Sequence, residues 1–177
     1  MWPFVKSGLI LILLAFQFVS CSDGSPENPI ARNGILDLRD HEFISHLRLD
    51  GEWRFVWRDT SLSGISASDD HINIEVPDSW KGYRYNGVKL PGHGAGSYFL
   101  TILIPERTDS YAIKISTAGT AYNLFVNDDL MGSVGIYSID SSMSRPLYEP
   151  KIFNLGPLSN QLTLRFDVSN YDHRLGG

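Results

Sequence analysis

The sequence predicts an all-β protein, an antiparallel sandwich or barrel. Three observations carry that expectation. Apolar residues recur at every second position in segment after segment, Gly, Pro, Asn and Asp separate those segments, and no long segment shows the helical spacing.

Taken in chain order, "EWRFVW" sets Trp53, Phe55 and Trp57 against Glu52, Arg54 and Arg58. That alternation is the mark of a strand with one face toward a core. "SYFLTILIP" is almost continuously apolar and ends at Pro105, as a strand buried on both faces or in a sandwich core does. "YAIKIS" puts Tyr111, Ile113 and Ile115 on one side, and "YNLFVN" does the same with Tyr122, Leu124 and Val126. The last strand is expected from Gln161 to Ser169, with Leu162, Leu164, Phe166 and Val168 inward and Thr163, Arg165 and Asp167 outward. "HEFISHL" is short enough for one helical turn at most. No internal repeat is visible.

The first residues read differently. Lys6 precedes the apolar run "SGLILILLAFQFV", which has the length of a signal-peptide core and falls short of the roughly 20 residues of a spanning helix. An uncleaved membrane anchor is the competing reading. The only cysteine, Cys21, follows directly in "FVSCS". This placement resembles the lipobox of bacterial lipoproteins, with Ser20 as the small residue before the cysteine and Phe18 where leucine is usual. The resemblance implies that Cys21 is the lipidated N-terminus of the mature chain. "SDGSPENPIARNG" is rich in turn formers and has no apolar period, so a signal peptide over 1–20, a flexible tether over 21–34 and one domain over 35–177 are expected.

Composition narrows the function classes. Without a second cysteine there is no disulfide, so the domain depends on its packed core. The formal charge of −5 becomes −6 when residues 1–20, whose single charge is Lys6, are set aside. No basic cluster exists, which argues against a nucleic-acid partner.

Catalytic and metal patterns are weak throughout. His41, Glu42 and His46 invite comparison with zinc proteases, but those need histidines four apart on one helix face. A spacing of five turns the second ring away by about a further 100°. The glycines of "GHGAG" precede a strand, whereas phosphate-cradling glycines follow a strand and open a helix. Asp128 and Asp129 sit in "VNDDLMG", where a hairpin turn accounts for them. No nucleophile, acid–base pair, metal set or cofactor motif stands out, so a non-enzymatic protein is expected.

Loop aromatics carry more. "PDSWKGYRYNG" holds Trp80, Tyr83 and Tyr85 among turn formers. Exposed rings stack on the C–H faces of sugars while polar neighbours bond the hydroxyls. Equally, Trp80 can plug the end of the core. The terminal run "SNYDHRLGG" also has two readings. Asn170 and His173 satisfy backbone groups where the last strand leaves the sheet, or Tyr171, His173 and Arg174 form a ligand rim with Trp80. Arg174 beside a membrane could meet lipid phosphates.

Several stretches, "LDGEWRFVW", "VPDSWKGYRYNGVKLPGHGAGSYFLTILIP", "AYNLFVNDDLMGSVG", "RPLYEP" and "VSNYDHRLGG", follow one another in a familiar order. Together they resemble the N-terminal extracytoplasmic sensor domain of bacterial seven-transmembrane receptors with diverse intracellular signalling modules. The resemblance covers roughly Ile35 to Gly177. The middle is also similar to the jelly-roll sugar-binding domain of glycoside hydrolase family 2, where a "VP-x-x-W" turn, an aromatic strand ending in proline and a "VNG"-like hairpin recur. Here Asp128 stands in place of that glycine.

The resemblance implies a galactose-binding-like jelly roll that binds a carbohydrate or other small solute, and the residues expected to meet it are Trp80, Tyr83, Tyr85, Tyr171, His173 and Arg174. It also implies a membrane receptor or signalling partner and an envelope location, held to the membrane by the lipid on Cys21. In that family a membrane helix follows the terminal segment, and none is present in this sequence. A free-standing sensor lipoprotein and the head of a receptor therefore both stand. An accessory domain of a glycoside hydrolase and a structural envelope lipoprotein are the rival functions.

Overall fold

A computed structural model describes residues 28–41, 46–59, 61, 70–105 and 110–177. Cys21, the leader and most of the "HEFISHL" segment lie outside the described residues. Strands form almost all of the regular structure, and no helix occurs among the described residues. In chain order they are β1 (Ile35–Asp37), β2 (Gly51–Trp57), β3 (Ile72–Val76), β4 (Arg84–Tyr85), β5 (Val88–Lys89), β6 (Gly94–Leu103), β7 (Ser110–Ile115), β8 (Ala121–Val126), β9 (Asp129–Val134), β10 (Lys151–Pro157) and β11 (Gln161–Asn170).

The main sheet runs β3-β2-β6-β11-β8-β9. Its pairings along that path are antiparallel, and β1 adds a short parallel pairing to β6. Most neighbours in this sheet are not consecutive in sequence, which is the crossing connectivity of a jelly roll. Opposite it lies a smaller antiparallel sheet, β10-β7. The architecture is an antiparallel β-sandwich, as the alternation predicts.

Strand faces follow the sequence closely. Trp53, Phe55 and Trp57 of β2, Tyr98, Leu100 and Ile102 of β6, and Tyr122, Leu124 and Val126 of β8 are all buried. Leu162, Leu164 and Val168 of β11 are buried with them, and Phe166 is half-buried against the same core. The long apolar run is the central strand β6, covered along one edge by β11 and along the other by β2 and then β1. It begins at Gly94, three residues before the expected "SYFLTILIP". Its glycines serve packing: a Cβ on Gly96 would lie 2.3 Å from the Phe55 ring, and one on Gly94 would lie 2.2 Å from the Trp57 ring. Two large rings can cross the strand only where side chains are missing.

Two hairpins show their turn chemistry. Asn127 and Asp128, between β8 and β9, both have positive φ (50° and 69°), the backbone of a two-residue turn that aspartate and asparagine tolerate. Asn86 and Gly87 (49° and 81°) do the same between β4 and β5, inside a stretch that reads as loop in the sequence.

The domain also starts earlier than expected. Ala31 is fully buried, donates to Asp50 O (2.8 Å) and accepts from Glu52 N (2.9 Å). Asn28 exchanges side-chain hydrogen bonds with the Arg48 backbone at 3.0 and 2.9 Å. Residues 28–34, expected as tether, are therefore part of the domain. Among the described residues of this stretch, Asn33 and Gly34 sit in a bend held against β2, their backbone N–H groups donating to Glu52.

Candidate functional site

The terminal strand ends in a corner built on Asn170. This side chain is fully buried, donates to Gly92 O (3.1 Å) and His173 O (2.7 Å), and accepts from His173 N (2.8 Å). One amide thus satisfies backbone groups from two segments that have left their ladders. The exposed imidazole of His173 makes none of these bonds; its Nδ1 accepts from Leu175 N at 3.4 Å. Tyr171 turns to the 137–140 segment, donating to Ile139 O at 2.6 Å, with Asp59 at 3.4 Å. Burial first, then the Asp59 carboxylate, holds its hydroxyl well above the ordinary tyrosine range. Arg174 is exposed, and its carbonyl accepts from Lys81 Nζ (3.1 Å).

Trp80 is the plug. It is 0% exposed, donates Nε1 to Pro91 O (3.0 Å), and lies 5.8, 5.6 and 6.4 Å from the rings of Phe55, Trp57 and Tyr98. Tyr85 is also fully buried, with its hydroxyl bonded to Asp70 O. Neither ring presents a face to solvent, because β4 and β5 fold the "SWKGYRY" stretch against the core. Tyr83 is half-buried and accepts from Glu75 N (3.2 Å). Trp80 and Tyr171, expected on one rim with His173 and Arg174, share no partner, and none of the six candidate binding residues lines the main cleft.

A cleft of about 370 Å³ opens into the inner face of the main sheet. Its size falls within the roughly 300–1,000 Å³ of small-molecule sites. Tyr98, Phe166 and Val168 line it from β6 and β11. Trp53, Val76, Pro77, Asp78 and Ser79 line it from β2 and the turn after β3, whose Val76–Pro77 peptide is cis. Ile115, Thr117, Ala118 and Gly119 do so from the end of β7 and the segment beyond. Gly177 closes the set; its carbonyl accepts from Tyr98 Oη at 2.8 Å.

These boundaries are well anchored. The segment after Gly119 is tied to β11 through Thr120, whose N and Oγ1 both donate to Ser169 O (3.0 and 3.2 Å). Trp53 lies 5.9 Å from Phe166, and its Nε1 donates to Leu49 O (2.9 Å). Burial, then Tyr83 and Asp78, keep the Tyr98 hydroxyl protonated far beyond neutral pH, so it stays a donor. The residues lining the cleft combine aromatic and aliphatic side chains with the polar groups of Asp78, Ser79 and Thr117. Trp53 and Tyr98 are almost fully buried, so such a site can lay an apolar ligand face chiefly on the half-buried Phe166 and bond a few hydroxyls or amines.

The opposite face of the sheet is polar and mostly paired within itself, with Arg165 Nε buried but not hydrogen-bonded. Arg58 Nε donates to Ser97 Oγ (3.0 Å), Ser97 Oγ donates to Asp167 (2.6 Å), and Arg165 stands 3.6 Å from Asp167. Burial, followed by Asp167, pushes Tyr137 up to about 12. No cluster of three or more His, Cys, Asp or Glu capable of holding a metal occurs among the described residues.

The cleft residues escaped the sequence reading because Trp53, Tyr98 and Phe166 sit at regular inward strand positions. The one local signal was polar: "PDS" before Trp80 and "STAGT" after β7 are small polar runs at strand ends.

No protein-family model and no curated protein matches the sequence. Solved structures do. The chain is similar to a β-glucuronidase of Faecalibacterium prausnitzii, with a TM-score of 0.52 and 14% identity over 70% of this chain and 20% of that one. It is also similar to a β-glucuronidase of an uncultured Clostridium sp., at 0.51 and 14% over 69% and 21%. A Ruminococcus gnavus β-glucuronidase gives 0.50 and 13% over 69% and 20%. The likeness is one of fold. This chain spans about a fifth of the length of these enzymes and shares their β-sandwich architecture.

Proposed function

We propose that this protein is a non-enzymatic recognition module that binds a carbohydrate or other small solute in the cleft over Trp53, Tyr98 and Phe166. It would serve as the sensor part of a bacterial envelope signalling system, held at the membrane by a lipid on Cys21. The observation that carries the binding reading is the cleft itself, where aromatic side chains of the inner sheet face meet polar groups of Asp78, Ser79 and Thr117. The sensor role is supported by the resemblance of the ordered sequence motifs to those of seven-transmembrane receptor heads. The fold likeness to part of three β-glucuronidases favours a second reading, an accessory domain working beside a glycosidase.

A thermal-shift screen of the full chain against mono- and oligosaccharides tests the binding reading. A ligand that raises the melting temperature of the wild type and fails to do so for Phe166→Ala supports it. Ligands that act equally on both variants, or a screen without any shift, reject it. The genes beside this one separate the two roles: a reading frame with seven apolar spans fits the sensor, and a glycosidase barrel fits the accessory domain.

A further inference from the structure

We infer that the cleft selects its ligand by charge, taking neutral or amine-bearing saccharide-sized solutes and rejecting their carboxylate equivalents, with Asp78 as the discriminating residue. The inference rests on the binding reading above and adds the ligand class. Among the side chains lining the cleft, only that of Asp78 carries a formal charge. A uronate or other acid sugar needs an arginine fork, a lysine or free backbone N–H groups. No arginine or lysine lines the cleft. Ser79 N is occupied by Asp78 Oδ1 at 2.7 Å, and Lys81 lies outside the lining, with one of its three ammonium donors on Arg174 O at 3.1 Å.

The acceptor side is better provided. Asp78 Oδ2 has no hydrogen-bond partner among the described residues, and Asp78 as a whole is exposed. An ammonium or hydroxyl group can therefore reach it without displacing a protein contact. A ligand carboxylate beside it would meet a like charge over an apolar floor, where screening by water is weaker than in bulk.

The test measures the affinities of glucosamine, methyl β-glucoside and glucuronate for the full chain by ligand-observed NMR, at low and high salt. In the wild type at low salt, glucosamine should bind about tenfold more tightly than glucuronate, a gap that one like-charge contact near a surface produces. High salt should narrow it. Asp78→Asn keeps the shape and the acceptor oxygen and should bring the two ligands to within about twofold, the gap having been purely electrostatic. Asp128→Asn, in the β8–β9 turn, should leave the gap intact. If glucuronate binds the wild type as well as glucosamine, or if the gap survives Asp78→Asn, charge selection is wrong while saccharide binding stands. Failure of all three sugars to bind overturns the inference together with the binding reading.

Discussion

Replacing Trp80 by alanine should cost stability first and affect ligand binding only through it. The ring is 0% exposed and meets Phe55, Trp57 and Tyr98, with Nε1 held by Pro91 O. Burying a tryptophan withdraws roughly 150–250 Å² from water, which at about 25 cal/mol per Å² is an upper value of about 4–6 kcal/mol. Large-to-small substitutions of buried aromatic residues cost about 3–5 kcal/mol, cavity included. Against a typical total of about 5–15 kcal/mol, the variant would be marginal. At about 2–4 °C per kcal/mol for a domain of this size, the melting temperature should fall by roughly 6–20 °C. Trp80→Phe keeps most of the ring and loses the bond to Pro91 O, so it should cost less, about 1–3 kcal/mol. Urea and thermal denaturation of the three proteins measure both. A drop below about 3 °C for Trp80→Ala, against the range expected from its burial, would show that the site relaxes freely and that the core does not depend on this plug.

Three further outcomes are expected. Asn170→Ala should destabilise by about 1–3 kcal/mol because the part-buried bonds to the Gly92 and His173 carbonyls are lost, while His173→Ala should stay within about 0.5 kcal/mol; equal losses in urea denaturation would place the imidazole in the corner instead. The side-chain hydrogen bond from Arg39, then its backbone N–H, holds the Asp37 carboxyl down at about 2. Its contribution is therefore complete above the ordinary value of 3.8 and fades as pH falls through about 2, so NMR titration should show Arg39→Ala moving Asp37 most of the way back. Cys21→Ser should leave an unprocessed precursor, since several acyl chains at about 0.8 kcal/mol per buried methylene make such an anchor stable; release of that variant by cleavage at the same bond would reject the lipoprotein reading.

What the sequence determined by itself is what local stereochemistry determines. Alternation along β2, β8 and β11 sorts inward from outward side chains wherever a strand forms, because successive Cβ atoms point to opposite faces. The β-sandwich and the hairpin at Asn127–Asp128 followed from that and from turn chemistry. Tertiary structure decided which aromatic residues line the cleft. Trp80 in a polar loop reads equally as an exposed platform or a core plug, and Phe166 in a strand reads as buried; the β4–β5 hairpin folds Trp80 under Pro91, while Phe166 lines a cleft. The corner at Asn170 was equally beyond local signals, since its partner Gly92 lies 78 residues away in sequence and reaches it only through the pairing of β6 with β11. Exposure depends on which distant segment covers a residue, and periodicity carries no information about that cover.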